Sequence, residues 1–417
     1  MADPLDAARQ TSGPVSRPAV SGDRRSVGDD RRILHRGDRG RRLEDQPVTE
    51  NALPPSDAAA APDRPATYLT VLACTLVALW IGVISTNVVL NPLIYGTSGS
   101  ARAARAFEAG HDYAVFDVNF DIRRLRRAHV ARMTRTPEVV VIGASHWQEA
   151  HAELMPHHDV YNAHVHRDYV EDILAGVELF MANDRLPRTF IISIRDLTFL
   201  PVPSRPDERW LSYGPEYRQM ARRLGLAAHP WWETVQWRKW LDLLSLRTAW
   251  QGSWRMLLAA EKPGPAEAVM LESLDIVRRS GSVFWSRRRL EAFSPERAQR
   301  EAAEDLALWR GREIAIDPSA VEALDRLLGL LGDEGVRVVL AHPPFHPHYY
   351  EGMRGTVYMN GLTRVTAITD DLARKHGLDV VGSFDPAAVG CEAAMFIDSN
   401  HSNPDCLRRI IDQIPQL

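Results

Sequence analysis

Cysteine is scarce: the 417 residues hold three. Neither a Cys-x-x-Cys pair nor an HExxH helix is present, so the two commonest frames for zinc are missing. Charge of either sign is nearly balanced. The net charge of −4 supplies no basic excess of the kind that draws nucleic acid. Charge is also absent locally, because no ionisable Asp, Glu, Lys or Arg lies between Arg64 and Arg102. Aromatic residues are missing from the first 66 positions. That stretch is rich in Pro, Ala, Asp and Arg, so it has too little apolar surface to offset the entropy of ordering.

What is present divides the chain into unlike parts. Residues 1–66 read as a disordered tail. Within it, residues 24–42 carry eight Arg against three Asp, either a solvated tail or a basic patch for anionic lipid or a partner. Residues 67–95, TYLTVLACTLVALWIGVISTNVVLNPLIY, read as one transmembrane signal-anchor helix. The 23 mainly apolar residues from Tyr68 to Leu90 suffice to span a bilayer with some tilt. Tyr68 and Tyr95 stand near its ends, where aromatic anchors are usual. Its length and its distance from the N-terminus argue against a cleaved signal peptide.

Two cysteines serve the whole part beyond the membrane. Cys391 and Cys406 flank one loop, GCEAAMFIDSNHSNPDC. They read as a disulfide, with two separate buried thiols as the alternative. A disulfide closing this loop contributes roughly 3 kcal/mol and requires an oxidising compartment. Together with the Arg-rich tail on the other side of the helix, it places residues 96–417 in the periplasm, anchored in the cytoplasmic membrane. Reduced thiols and a cytosolic face are the alternative.

Residues 96–136 read as a connector with a basic helix around 121–133. Strands and helices then alternate. Strands are expected at 139–143 (VVVIG), 159–163, 188–194, 336–342 and 378–382. Helices are expected at 167–184, 320–335, 361–377 and 403–414. Apolar strands alternating with helices predict a parallel sheet covered on both faces. In such sheets functional residues gather beyond the carboxyl ends of the strands.

An insertion at about 200–316 holds nine of the eleven tryptophans: Trp210, Trp231, Trp232, Trp237, Trp240, Trp250, Trp254, Trp285 and Trp309. It reads as a helical cap packed by its own tryptophans or as an aromatic platform for a sugar chain or acyl group.

The first strand runs into Gly143, Ala144 and Ser145. A serine hydroxyl is a poor nucleophile until an imidazole takes its proton and a carboxylate orients that imidazole. Near the C-terminus, FIDSNHSNP places Asp398 and His401 three apart, after the fifth strand and before the closing helix. Histidines crowd 146–166 and 342–348, which suggests a metal site as a rival. With no recognisable ligand motif, no metal and no cofactor is expected.

An early strand ending in a small-residue-Ser turn, with Asp-x-x-His in the last loop, resembles the SGNH (GDSL-type) hydrolase superfamily. The resemblance covers residues 137–417. It is similar in layout to the membrane-anchored branch of polysaccharide O-acetyltransferase-like proteins and accessory proteins of cell-envelope acylation. It implies a flavodoxin-like three-layer α/β/α fold, Ser145 as nucleophile, His401 as general base and Asp398 as its orienter. Gly143-Ala144-Ser145 stands where the family has Gly-Asp-Ser. Ser193-Ile194-Arg195-Asp196 stands where it has Gly-x-Asn-Asp.

The Asn162 side chain and the Ser145 backbone N–H are the expected oxyanion donors. Arg195 is expected to meet a substrate carboxylate or phosphate. The expected function is a serine esterase or O-acyltransferase acting on an acylated cell-envelope or extracellular glycan. The alternative is a non-catalytic binding or assembly protein on the same fold.

Overall fold

The computed structural model describes residues 64–90, 97–115, 121–204, 212–227, 246, 261–267 and 270–415. Seven of the insertion's tryptophans, Trp210, Trp231, Trp232, Trp237, Trp240, Trp250 and Trp254, lie outside the described residues, as do tail residues 1–63. In chain order the strands are β1 (Asp112–Val115), β2 (Val139–Ile142), β3 (Val160–Asn162), β4 (Thr189–Ser193), β5 (Gly264–Ala266), β6 (Asp275–Val277), β7 (Val283–Phe284), β8 (Arg337–His342) and β9 (Asp379–Gly382).

The helix Arg64–Leu90 opens the described chain. Its stretch Pro65–Asn87, 23 residues of mean hydropathy 2.2, is long and apolar enough to cross a membrane.

Five strands form a parallel sheet in the order β3-β2-β4-β8-β9. Side chains alternate across a strand, and here both faces are apolar. Val140, Ile142, Phe190, Ile192, Val338 and Leu340 face one core. The helices Val170–Met181, Pro318–Asp333 and Val357–His376 cover it with Ile173, Val177, Leu327, Leu331, Leu362 and Val365. Val139, Val141, Ile191, Val339, Ala341 and Val381 face the other core. Leu407, Ile410 and Ile411 of the closing helix Pro404–Ile411 cover that side with Trp147. Each such aliphatic side chain, fully buried, is worth about 1.5–3 kcal/mol.

The chain begins this sheet at β2, steps to β3 on one side, then crosses to β4 on the other. The reversal opens a crevice at the carboxyl end of β2, the usual ligand position in open α/β sheets.

Residues 96–136, read as a connector with a basic helix, have structure of their own. They form the helix Thr97–Glu108, strand β1 and the helix Ile122–Val130. The arginines of that last helix are partly structural. Buried Arg123 donates through Nε and Nη2 to Asp172 at 2.6 and 2.9 Å. The insertion is not purely helical. Its strands β5 and β6 pair antiparallel with β1, and β7 with β6, in a second sheet ordered β5-β1-β6-β7. Strands of two to four residues carry no readable alternation.

Candidate active site

β2 ends at Ile142, and Gly143 continues it alongside Ser193, the last residue of β4. A Cβ on Gly143 would lie 2.4 Å from the Ser193 Cβ, so only glycine fits there without moving a strand. The backbone then tightens into the 3₁₀ turn Ser145–Trp147. Trp147 is wholly buried below it. The Asn162 amide braces the turn from β3, donating through Nδ2 to Trp147 O at 2.6 Å and Ala150 O at 2.9 Å. These restraints hold Ser145 at the crevice.

The Asp398–His401 loop is equally constrained. Phe396 and Ser402 form an isolated bridge, and the Ile397 N–H donates to His401 O at 2.8 Å. Asp398 Oδ1 accepts the Asn400 and His401 N–H groups at 2.9 and 2.8 Å. A disulfide joins Cys391 to Cys406 around the loop. Asn403 then caps the closing helix, accepting from the Cys406 N–H at 3.1 Å.

These two segments, 256 positions apart, meet at one hydrogen bond: His401 Nε2 lies 2.8 Å from Ser145 Oγ. His401 Nδ1 lies 2.7 Å from Asp398 Oδ2. An ionised carboxylate only accepts, so Nδ1 carries the imidazole proton and Nε2 is left to accept from the serine. Burial alone would raise the Asp398 carboxyl, but His401 and the loop N–H groups hold it well below the usual range.

Further groups surround this relay. The His146 ring stacks on His401 with centroids 5.5 Å apart. Trp285, from the insertion, meets His401 edge-on at 6.2 Å. Burial, then Arg195 and His401, push the His146 imidazolium well below its ordinary range, so His146 is neutral. Burial pushes Glu149 up to about 7, against the opposing pull of His401 and Arg289.

The structure brings Ser145, His401 and Asp398 together as the sequence spacing anticipated. It does not offer Asn162 as an oxyanion donor. That side chain is fully buried, with both N–H groups spent on the turn and its Oδ1 accepting from the His164 N–H at 3.0 Å. The Ser145 N–H remains at the head of its turn, where a 3₁₀ segment has no acceptor of its own.

Arg195 follows β4. It is 9% exposed, and its Nε donates to Asp196 Oδ1 at 3.0 Å. The sequence does not mark His146, Glu149 or Asp168 as site residues: His146 is one histidine in a crowd, and the carboxylates carry no local signal. Among the described residues no group of three or more His, Cys, Asp or Glu is arranged to hold a metal ion.

Comparison with protein-family models and with curated proteins finds no match to this chain.

Proposed function

We propose that the chain is a membrane-anchored serine esterase or O-acyltransferase of the SGNH type, acting on an acylated glycan outside the cytoplasm. The observation that carries this reading is the continuous relay Ser145 Oγ, His401, Asp398, with contacts of 2.8 and 2.7 Å. The strand order supports it, since β2, β3, β4, β8 and β9 lie in the 2-1-3-4-5 order of flavodoxin-like sheets. The Cys391–Cys406 disulfide supports an oxidising compartment.

In this mechanism Ser145 Oγ attacks the ester carbonyl carbon while its proton passes to His401 Nε2. Asp398 stabilises the imidazolium that forms. The oxyanion receives the Ser145 N–H. The tetrahedral carbon then expels the alkoxide oxygen, which takes the proton from His401. Water or a sugar hydroxyl attacks the acyl-enzyme, giving its proton to His401, and Ser145 leaves with that proton restored.

The test is hydrolysis of an aryl acetate, and acetyl transfer to oligosaccharides, by the full chain beside Ser145→Ala. Acetate release by the wild type alone is expected. Equal release by both proteins overturns the reading. One observation favours the non-catalytic alternative: Asn162 is spent on the turn, leaving the oxyanion with fewer donors than the sequence promised. Glycan binding by both proteins with turnover by neither would select that alternative.

A further inference from the structure

The loop that carries Asp398 and His401 is gripped from outside by residues distant in the chain. Ser399, between Asp398 and Asn400, is buried and held twice. Its carbonyl accepts the His346 N–H at 2.9 Å, from the segment after β8. Its hydroxyl donates to Asp305 Oδ2. Asp305 stands 94 positions earlier, on the insertion's helix Pro295–Trp309. A hydroxyl given to a carboxylate is among the stronger hydrogen bonds.

That helix has a fixed start and a close neighbour. Ser294 caps it, accepting from the Arg297 N–H at 3.2 Å. Leu306, next to Asp305, packs against the helix Pro347–Met353, where a Cβ on Gly352 would lie 2.2 Å from its Cδ2. His346 is the residue before Pro347. Both grips on Ser399 therefore come from one packed pair of helices.

The insertion also reaches the imidazole itself. Trp285 meets the His401 ring edge-on at 6.2 Å. Trp285 is anchored in turn. Its ring lies 4.9 Å from that of Phe293, and the Arg289 guanidinium covers it at 4.9 Å. Arg289 donates to Asp275 Oδ2 at 2.9 Å. The insertion thus touches the loop at Ser399 and at His401, on either side of Asn400. Reacting groups are held in register by such supporting hydrogen bonds and packing. A misplacement of about 1 Å can cost about 10²-fold in rate.

We propose that Asp305 is a positioning residue of the relay: by holding the Ser399 hydroxyl it fixes the loop that presents His401 to Ser145. The insertion then serves the chemistry directly and is not an appended cap. The assignment rests on the serine-relay reading above. Asp305 acts through Ser399 and not on the reacting atoms.

The test is a double-mutant cycle in the full chain in detergent, with Asp305→Ala, Ser399→Ala and the pair. Aryl acetate hydrolysis is measured per serine labelled to completion by a fluorophosphonate, so that unfolded protein is not counted. Each single variant should lower kcat about 10–100-fold and leave KM nearly unchanged. The pair should be no worse than either single variant, because one contact is lost in all three. Asp305→Asn keeps an acceptor oxygen and should recover most of the loss. Hydrogen exchange of residues 396–402 should quicken about tenfold in the alanine variants.

An unchanged kcat per labelled serine overturns the assignment. So do additive losses in the pair, or an Asp305→Asn protein as impaired as Asp305→Ala. Exchange separates this claim from the catalytic reading. An active wild type whose variants match it in kcat and exchange removes the positioning role alone. A wild type with no hydrolysis and no labelling, whose loop still loosens in the variants, removes the catalytic reading and leaves the brace standing. An inert wild type with unchanged exchange in the variants removes both.

Discussion

Asp398 acts only through His401, and that sets how each relay residue fails. Ser145→Ala and His401→Ala remove the proposed nucleophile and the proposed base, so aryl acetate hydrolysis should fall to background. Asp398→Asn keeps the shape but releases the tautomer, for which a loss of about 10⁴-fold in kcat is expected. An Asp398→Asn enzyme retaining a tenth of wild-type kcat would contradict the assigned role. Glu149 carries a stability prediction. Its folded pKa is raised to about 7, against an ordinary value of about 4.3. The native state therefore binds more protons than the unfolded state in that interval, and stability falls as pH rises through it. Glu149→Gln should raise the Tm at pH 8 and leave it nearly unchanged at pH 4; equal shifts at both would contradict it. Asp398 has the opposite sign. Its depressed pKa stabilises the fold above the ordinary Asp range, and that contribution is lost only as pH falls below it.

At the scale of elements, the position of Ser145 depends on how closely β2 and β4 approach. Gly143→Ala forces a Cβ to 2.4 Å from Ser193. A destabilisation of about 1–3 kcal/mol is expected from such overpacking, measured by chemical denaturation; an unchanged midpoint would show that the strands yield freely. The paired Cys391→Ala, Cys406→Ala variant reopens a 15-residue separation and should cost about 3 kcal/mol while lowering activity through a looser His401.

The strands of the parallel sheet were legible because β2, β4 and β8 are continuous apolar runs bounded by clear turns. The relay was legible because Ser145 ends the first of these, and Asp398 and His401 precede a helix announced by Pro404. Strands β1, β5, β6 and β7 were not legible, since they are short and Asp112, Gly264, Pro265 and Asp275 stand where a continuous apolar run would be. Nor was the burial of Arg123, whose partner Asp172 lies 49 positions away. Asn162 was placed at the right strand end, yet only three-dimensional structure reveals that its amide braces the serine's own turn.

For the molecule as a whole, the 23-residue apolar stretch Pro65–Asn87 predicts that the chain stays with membranes through alkaline carbonate and leaves only with detergent. Release by carbonate alone would contradict a spanning helix. The serine relay, rather than the anchor, is the central claim, and the most direct test is active-site titration. The full chain in detergent would be treated with a fluorophosphonate and its mass compared with that of Ser145→Ala and His401→Ala. One adduct on wild-type Ser145, with none on either variant, is the predicted result. A folded wild type that takes no adduct, or a Ser145→Ala protein that takes the same one, would contradict the account.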